Sequence, residues 1–360
     1  MRIAQIAPLH EAVPPKLYGG TERVVSFLTE ELVNLGHEVT LFASGDSVTS
    51  ANLHPSWPRA LRLDPAIRDP IAPHMLMMEH VAQRLDQFDV LHFHMDYWPF
   101  THFSRQSIPF VTTMHGRLDL PELQPVFDCF SKAPVVSISD SQRRPLPQAN
   151  FVRTVHHGLP EKLLTPQGNP DGSDRSYLAF LGRICPEKGV DKAIRVARAV
   201  GIPLKIAAKV DKVDVEYFEH VIRPMLGNGV ELIGEINDSQ KAGFLSGARG
   251  LLMPIDWPEP FGLVMIEAMA CGTPVIAFNR GSVPEVIEDG LTGLIVEDET
   301  SAIGAIARLD TLKPQAIRRR FETRFTARRM AEDYLSIYRQ LDTLHHPSLR
   351  LISGDKPVRA

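Results

Sequence analysis

The stretch Thr165-Pro-Gln-Gly-Asn-Pro-Asp-Gly-Ser-Asp-Arg-Ser-Tyr-Leu-Ala-Phe-Leu-Gly182 lies near the middle of the chain and decides how the rest is divided. Its first ten residues are rich in Pro, Gly, Asn and Asp, which favour turns and do not pack into a core. Its last six residues, 177–182, form a short apolar run that ends at a glycine, which is typical of a buried strand. A linker followed by a new strand predicts that a second domain begins here.

Short apolar runs alternate with longer helical patterns on both sides of this linker. Between the first two runs, the segment 21–35 has the amphipathic spacing of a helix, and Gly36 ends it. Alternating strands and helices predict an α/β fold with parallel sheets. The predicted strands are 2–7, 38–43, 89–94, 109–114, 134–139 and 152–156 before the linker, and 177–182, 203–208, 230–234, 250–254, 274–278 and 293–296 after it.

The pattern indicates two Rossmann-like, doubly wound domains. Open parallel sheets bind ligands beyond the carboxyl ends of their strands, so we expect a site in a cleft between the two domains. From Ser301 the pattern is helical to about Leu344. We place the domains at 1–165 and 174–325, a C-terminal helix at 326–345 that packs back toward the first domain, and a tail at 346–360.

Length and composition limit the class of protein. The chain has 360 residues, enough for two domains, and a net charge of -4 gives no positive field that would attract nucleic acid. The cysteines 129, 185 and 271 show no CxxC spacing, which argues against a disulfide framework or a zinc–thiolate site. We read neither a signal peptide nor a membrane-spanning run, and therefore expect a cytoplasmic protein.

Two carboxylates stand eight residues apart in the segment Pro258-Glu-Pro-Phe-Gly-Leu-Val-Met-Ile-Glu-Ala-Met-Ala-Cys-Gly272. A helix that begins near Phe261 would place its free N–H groups between Glu259 and Glu267, and such groups bind anions. The helical rise puts the two backbones at most ~12 Å apart, which matches a sugar and a ribose on either side of a diphosphate. Taken singly, each acid would more often be a solvated surface residue. The neighbours of Glu267 are nearly all apolar, however, so we expect a hydroxyl-bearing ligand to be its partner.

In these residues the chain resembles the GT-B glycosyltransferases, specifically the retaining enzymes of family 4. Their mark is E-x-F-G-L-x-x-x-E, which Glu259, Phe261, Gly262, Leu263 and Glu267 match. The resemblance covers essentially the whole chain. It implies a hexosyltransferase-like enzyme that moves a sugar from a nucleotide-diphosphate sugar to an acceptor hydroxyl with retention of configuration. It also implies that the first domain faces the acceptor and that the second binds the donor, with Glu259 on the sugar and Glu267 on the ribose.

The resemblance assigns roles to three further side chains. Arg183 and Lys188 follow the strand 177–182 and match an R-x4-K pair that neutralises the leaving diphosphate. His115 follows the strand 109–114 and corresponds to a histidine that points at the donor sugar near the reacting carbon. Without the resemblance, the two cations would be read as solvated charges and His115 as a structural histidine.

The loop before the first helix and the end of the strand 203–208 complete the predicted donor site. Gly19 and Gly20 let backbone N–H groups approach a phosphate, and in the family this loop lies near donor phosphate and acceptor. Lys209 stands where many relatives have glycine, and His157-Gly-Leu-Pro160 stands where Asn-Gly-Val-Asp is usual. Lys209 is a candidate for phosphate or base, and the donor base stays open between UDP, GDP and ADP.

Other reactions remain as alternatives. A GT-B sugar-nucleotide epimerase, a phosphate-sugar synthase or a catalytically silent sugar-nucleotide-binding protein would share the cleft. His92, His94 and Asp96 form an H-x-H-x-D pattern that also opens metal-dependent hydrolase sites. A glycoside hydrolase needs carboxyl groups at most ~9.5 Å apart, which disfavours Glu259 with Glu267. The chain contains no D-x-D, so we expect neither an obligatory metal nor a cofactor beyond the nucleotide-sugar co-substrate.

The acceptor leaves few readable traces. We expect its contacts in the loops 8–20 and 96–102, and the sequence leaves open whether it is a glycan, a lipid-linked sugar or a small molecule. The arginine-rich stretch from Arg318 to Arg329 is a candidate for peripheral contact with an anionic membrane. Its acids and aromatic residues favour a solvated helix face instead.

Overall fold

The computed structural model describes residues 1–16, 19–169 and 171–345, so the predicted tail 346–360 lies outside the described residues. The chain forms two parallel sheets, one on each side of the predicted linker. The strands are β1 (Arg2–Ile6), β2 (Glu38–Ser44), β3 (Asn52–Trp57), β4 (Val90–Phe93), β5 (Phe110–Thr113), β6 (Val135–Ser137), β7 (Phe151–Thr154), β8 (Tyr177–Arg183), β9 (Leu204–Lys209), β10 (Val230–Gly234), β11 (Ala248–Met253), β12 (Val275–Phe278) and β13 (Gly293–Val296).

Helices connect the strands of both sheets. They are α1 (Gly20–Asn34), α2 (Ile71–Ala82), α3 (Phe100–Phe103), α4 (Leu123–Cys129), α5 (Asp140–Arg143), α6 (Val190–Val200), α7 (Val215–Tyr217), α8 (Asp238–Ser246), α9 (Leu263–Ala270), α10 (Val283–Val286), α11 (Glu299–Ile306), α12 (Pro314–Arg324) and α13 (Ala327–His345). The first sheet has the order β3-β2-β1-β4-β5-β6-β7 and the second the order β10-β9-β8-β11-β12-β13. In each sheet, successive strands are added first on one side of the strand that comes first in sequence and then on its other side. This strand order confirms the predicted α/β fold with two Rossmann-like domains.

The central strands are buried on both faces, as expected for parallel sheets covered by helices. Every residue of β4, β5 and β12 is buried, and each of these strands was readable as a short apolar run. The helix α1 begins and ends within one residue of its predicted bounds. The apolar runs and the helical spacing in the sequence therefore predicted these core strands and the helix α1 correctly.

Two elements differ from the prediction. The strand β3 was not predicted, because Asn52-Leu-His-Pro-Ser-Trp57 contains a proline and little apolar alternation. It lies at the edge of its sheet, where a missing N–H is tolerated. The helix α9 begins at Leu263 rather than near Phe261, because Gly262 adopts a left-handed conformation with φ +78°. Phe261 stays in the preceding loop and is 2% exposed.

The last helix in the described ranges belongs to the core of the first domain. Helix α13 follows the second sheet in sequence but packs against α1. Its Tyr334 and Tyr338 are fully buried, and their hydroxyl groups hydrogen-bond Thr113 at 2.8 Å and His92 at 2.7 Å. No helix in the described part of the chain is both long and apolar enough to cross a lipid bilayer.

The chain passes between the domains at two adjacent places. The Leu159 N–H donates to the Phe325 carbonyl at 2.9 Å, and the Ala327 N–H donates to the Leu159 carbonyl at 2.7 Å. A Cβ on Gly158 would overlap the carbonyl of Thr326, so only glycine allows this approach. The two crossings therefore form one hydrogen-bonded junction beneath the cleft.

Candidate functional site

A cavity of about 620 Å³ lies between the carboxyl ends of the two sheets. Loops that follow β1, β4 and β5 line one wall, and loops that follow β8, β9 and β11 line the other. All the residues predicted for the donor site line this cavity, namely Gly19, Gly20, His115, Arg183, Lys188, Lys209, Glu259, Phe261, Gly262, Leu263 and Glu267. The fold thus brings together residues that span most of the sequence.

Glu259 is held by a cation and an indole in the loop after β11. Its carboxylate is ion-paired with Lys188 and accepts a hydrogen bond from Trp257 Nε1 at 2.9 Å. The Lys188 ammonium lies 4.8 Å from the centroid of the Trp257 ring, which adds a cation–π contact. Glu259 is 7% exposed, so this acid is fixed in the wall rather than solvated. Trp257 was not predicted as a site residue, because no local pattern sets this tryptophan apart.

Glu267 has a partner that the sequence analysis missed. It lies on α9, 4% exposed, and Lys241 Nζ on the adjacent helix α8 lies 2.6 Å from its Oε1. The buried carboxylate therefore already has a protein partner, because α8 packs against α9 and delivers an ammonium group, and the contact of Glu267 with a ligand hydroxyl stays a prediction. Lys241 also lines the cavity, and it lies in a short helix that carries no recognisable motif.

Three cations gather on the second-domain wall. Arg183 and Lys209 are paired in register on the adjacent strands β8 and β9, and both contact Asp211, at 3.4 and 3.1 Å. Lys188 follows in the short turn after β8. Acids pair with these cations, Asp211 with Arg183 and Lys209 and Glu259 with Lys188, so an anion would bind here by replacing part of that pairing.

The N-termini of two helices converge on the same cavity. A Cβ on Gly20, the first residue of α1, would lie 3.8 Å from the side chain of Leu263, the first residue of α9. Gly262 has φ +78°, a left-handed conformation that favours glycine, and a Cβ there would also come within 2.9 Å of two methionine methyl groups. The positive ends of both helix dipoles therefore face the space beside the three cations, and at α1 the buried carboxylate of Glu22 accepts one backbone N–H group.

The first-domain wall is dominated by neutral histidines. His115 Nε2 lies 2.9 Å from His94 Nδ1, and the His115 ring stacks on His157 with centroids 5.3 Å apart. Burial lowers the pKa of His115 to about 3, and it lowers the pKa values of His94 and His157 well below the ordinary value. These rings are therefore uncharged at neutral pH and serve as hydrogen-bond groups rather than cations.

The loop after β4 adds a strained acid and an aromatic ring. Asp96 has φ +49°, and its carbonyl accepts a hydrogen bond from Thr112 Oγ1 at 2.9 Å. Burial raises the pKa of Asp96 to about 6, although the His115 backbone N–H donates to its carboxylate. Trp98 lines the same part of the cavity, as does Arg62, which is ion-paired with Glu11 at 2.9 Å. This wall lies within the loops expected to contact the acceptor.

The geometry does not support the metal-hydrolase alternative. His92 lies behind the wall, and its two ring nitrogens bond Tyr338 and Thr113, each at 2.7 Å. His94 bonds Gln5 and His115 through its own two nitrogens. Within the described ranges, no three His, Cys, Asp or Glu side chains are grouped so that they could hold a metal ion.

The arginine-rich segment is largely engaged by the protein itself. Arg318 donates to the carbonyls of residues 161, 164 and 270, and Arg320 and Arg324 share the carboxylate of Glu288. Arg329 donates to the carbonyls of residues 156 and 157 at the domain junction. These contacts account for much of the basic character of the segment, and its role at a membrane stays a prediction.

Comparison with known proteins agrees with this architecture. The family model described as "Glycosyl transferases group 1" matches residues 165–324, and the model described as "Glycosyltransferase Family 4" matches residues 18–134. An uncharacterized 41.2 kDa protein in the cps region of Klebsiella pneumoniae is 28% identical over 185 residues, which cover 50% of each chain. The phosphatidyl-myo-inositol mannosyltransferase of Mycolicibacterium smegmatis is 26% identical, covering 95% of this chain and 92% of the mannosyltransferase. The chain spans about half the length of the curated relatives it matches most strongly.

Solved structures share the fold at low sequence identity. A sucrose-phosphate synthase from Thermosynechococcus elongatus is 21% identical with a TM-score of 0.78, covering 96% of this chain and all of that one. The HepE protein of Anabaena in complex with UDP-glucose is 17% identical with a TM-score of 0.70, covering 94% of this chain and all of HepE. With two family models that follow one another along the chain and a matching two-domain fold, the chain belongs to the GT-B glycosyltransferases of family 4.

Proposed function

We propose that the chain is a retaining glycosyltransferase that moves a sugar from a nucleotide-diphosphate sugar to an acceptor hydroxyl. The observation that carries the proposal is the convergence of the α1 and α9 N-termini beside three cations, with a buried carboxylate at each side. Free helix N–H groups bind phosphate, and carboxylates accept hydrogen bonds from vicinal hydroxyl groups. The similarity to a protein solved with UDP-glucose supports a donor of this class.

In this proposal the second domain holds the donor. The diphosphate lies against Arg183 and Lys188, which stabilise the charge that develops as the sugar leaves. Glu259 accepts hydrogen bonds from the sugar hydroxyls, and Glu267 accepts them from the ribose. Lys188 leaves part of its pairing with Glu259 when the diphosphate arrives, because the ammonium group is within reach of both.

The resemblance to family 4 implies retention of configuration, and the groups around the reacting carbon limit how retention can be achieved. The buried acids on the donor wall, Glu259 and Glu267, are each paired with a lysine, which disfavours a covalent sugar intermediate on either carboxylate. We therefore propose that the acceptor hydroxyl attacks from the face that the diphosphate leaves and gives its proton to a diphosphate oxygen. Neutral His115 and the carboxylate of Glu259 stabilise the oxocarbenium-like sugar by position and charge.

The acceptor lies on the first-domain wall. Trp98 offers a flat aromatic surface there, and Asp96 offers a hydrogen-bond acceptor close to His115. Closure of the domains about the hydrogen-bonded junction excludes water from the transfer. A sugar-nucleotide epimerase would need no second substrate on this wall. The need for an acceptor therefore distinguishes a transferase from an epimerase.

The test begins with a thermal-shift screen against UDP-, GDP- and ADP-sugars, because a ligand that binds only the folded chain raises its melting temperature. The donor that gives the largest shift is then incubated with and without candidate acceptors. We expect nucleoside diphosphate release and a product whose anomeric configuration, read by NMR, equals that of the donor. An inverted product would contradict retention, and a rearranged sugar without transfer would indicate an epimerase.

A further inference from the structure

A continuous path of hydrogen bonds leads from helix α13 through the first sheet to the cavity. Tyr338 on α13 contacts Gln5 Nε2 on β1 at 3.1 Å. Gln5 Oε1 contacts His94 Nε2 at 2.8 Å, and His94 Nδ1 contacts His115 Nε2 at 2.9 Å. Gln5 and Tyr338 are fully buried, and His94 is 3% exposed. The path connects a helix far along the sequence with the histidine beside the proposed donor sugar.

The distances indicate which atom donates in each bond. A separation of 3.1 Å is ordinary for an N–H···O bond and long for an O–H···O bond, so the Gln5 amide donates to the Tyr338 oxygen. The Gln5 carbonyl oxygen then faces His94, whose Nε2–H donates to it. The Tyr338 hydroxyl has its own proton free to donate to His92 Nδ1, at 2.7 Å.

These assignments determine the proton on His115. A neutral imidazole has one N–H and one bare nitrogen. Since His94 carries its proton on Nε2, its Nδ1 is bare and accepts the Nε2–H of His115. His115 Nδ1 is then bare, and it makes no hydrogen bond to any other residue in the described ranges.

The surroundings keep this ring neutral. Burial lowers the pKa of His115 to about 3, and the rings that face it, His94 and His157, are themselves uncharged near pH 7. The carboxylate of Asp96 accepts the backbone N–H of His115. A bare ring nitrogen is the negative end of the imidazole dipole, so it does not repel positive charge on a sugar.

We propose that Gln5, His94 and Tyr338 are positioning residues that hold His115 with its proton on Nε2 and its bare Nδ1 available to the cavity. In that state His115 accepts a hydrogen bond from a sugar hydroxyl and presents electron density to the reacting carbon. The nature of that ligand rests on the proposed function, whereas the proton position does not.

The proton position is measured directly by NMR of the full chain with ¹⁵N-labelled histidine. Long-range ¹H–¹⁵N correlations distinguish protonated from bare ring nitrogens, and a His115→Gln sample identifies the signal of His115. We expect Nε2 protonated and Nδ1 bare in the wild type. A proton on Nδ1 of His115 would overturn the proposal, whatever the chain catalyses.

Two tyrosines on the same helix provide a matched control. Tyr338→Phe removes the oxygen that orients the Gln5 amide, so the amide can rotate and His115 becomes a mixture of tautomers. Tyr334→Phe removes an equally buried hydroxyl that bonds Thr113 and reaches Tyr338 only indirectly, through Thr113 and His92, so we expect a smaller change in the tautomer of His115. Equal NMR effects of both variants would contradict the path, and Gln5→Met provides a second break in it.

The same variants are then assayed for release of UDP from UDP-glucose and of GDP from GDP-mannose. We expect Tyr338→Phe and Gln5→Met to lower kcat by at least about tenfold while KM changes less than twofold. The reason is that both variants disturb only the orientation of His115, which acts at the reacting carbon. Tyr334→Phe should lower kcat less than either of these variants, because it reaches Tyr338 only through Thr113 and His92. A rise in KM at constant kcat would contradict the positioning role. Failure of the wild type to release a diphosphate from these donors and from an ADP-sugar would count against the proposed function, and the NMR result would still decide the tautomer.

Discussion

The ammonium group of Lys241 lies 2.6 Å from the carboxylate of Glu267 in the wall of the cavity, and both residues are buried. Lys241 also contacts Asp238 at 3.3 Å, and Asp238 is ion-paired with Arg23 on helix α1 of the first domain. Glu267 is thus connected across the gap between the domains. A ribose that binds Glu267 enters a charge network to which both domains contribute.

Substitutions of the two cavity glutamates should affect different properties, nucleotide binding for one and sugar transfer for the other. Glu267→Ala should weaken nucleotide binding, because it removes the ribose contact and leaves Lys241 without its main partner. Glu259→Gln should slow sugar transfer and leave nucleotide affinity nearly unchanged. Isothermal titration with the free nucleoside diphosphate gives the affinities, and transfer assays give the rates. Equal losses of affinity in both variants would overturn these assignments.

The cations after strand β8 should be needed for turnover. Arg183→Ala or Lys188→Ala should lower donor-saturated turnover by about 10²-fold, because each removes charge stabilisation from the leaving diphosphate. Lys192→Ala is the matched control, since Lys192 forms a comparable ion pair with Asp256 at 2.9 Å but does not line the cavity. Rates close to wild type in both Arg183 and Lys188 variants would remove these residues from the site.

Chelation should leave activity intact. Arginine, lysine and helix N–H groups can meet the diphosphate charge, and the ring nitrogens of His92 and His94 are already hydrogen-bonded within the protein. The measurement is transfer activity before and after dialysis against EDTA. Complete loss that zinc or magnesium restores would revive the reading of His92, His94 and Asp96 as metal ligands.

The buried histidines should make the fold sensitive to acid. The pKa values of His92, His94, His115 and His157 are lowered on folding, so the unfolded chain takes up protons first as the pH falls below about 6.5. Their stabilising effect is complete above that pH and is lost on acidification, by about 1.4 kcal/mol per pH unit for each ring. Asp96, Glu11 and Glu22, whose pKa values burial raises, act in the opposite direction, while the lowered pKa values of His10, His54 and His74 add to the effect of the four rings.

Urea unfolding at a series of pH values measures this effect. His157→Phe is the informative variant, because His157 Nδ1 has no hydrogen-bond partner and the ring lies between the rings of His115 and Phe261. The variant should reduce the slope of unfolding free energy against pH by about one proton between pH 4 and 6. Parallel curves for wild type and variant would show that His157 takes up its proton in the folded state.

The local sequence pattern predicted most strands and helices, whereas the exceptions depend on packing between distant segments. Apolar runs such as 109–114 and 274–278 were readable because parallel strands are buried on both faces. The edge strand β3 was missed because Pro55 and its polar neighbours break the pattern that a buried strand would show. Phe261 was assigned to a helix because propensity does not reveal the left-handed turn at Gly262.

The same limit applies to the site. The residues matched to the family motif all line the cavity, but their partners come from other elements. Lys241 is 26 positions from Glu267 in sequence and meets it only because α8 packs on α9. The path from Tyr338 through Gln5 to His94 joins the two ends of the chain and leaves no local trace. Spacing along the sequence can locate a motif, whereas contacts between distant segments require the fold.

The position of helix α13 has a consequence for how the protein is made and for how it can be recombined. Gln5 and His92 find their buried partner in Tyr338, so the segment synthesised first cannot complete its interior until the ribosome has delivered residues 327–345. The second domain, by contrast, is finished earlier in translation. A chimera that exchanges donor domains between relatives must therefore keep this helix with the amino-terminal half. If the exchanged segment ended after α13, the helix of one protein would have to pack into the first-domain core of another.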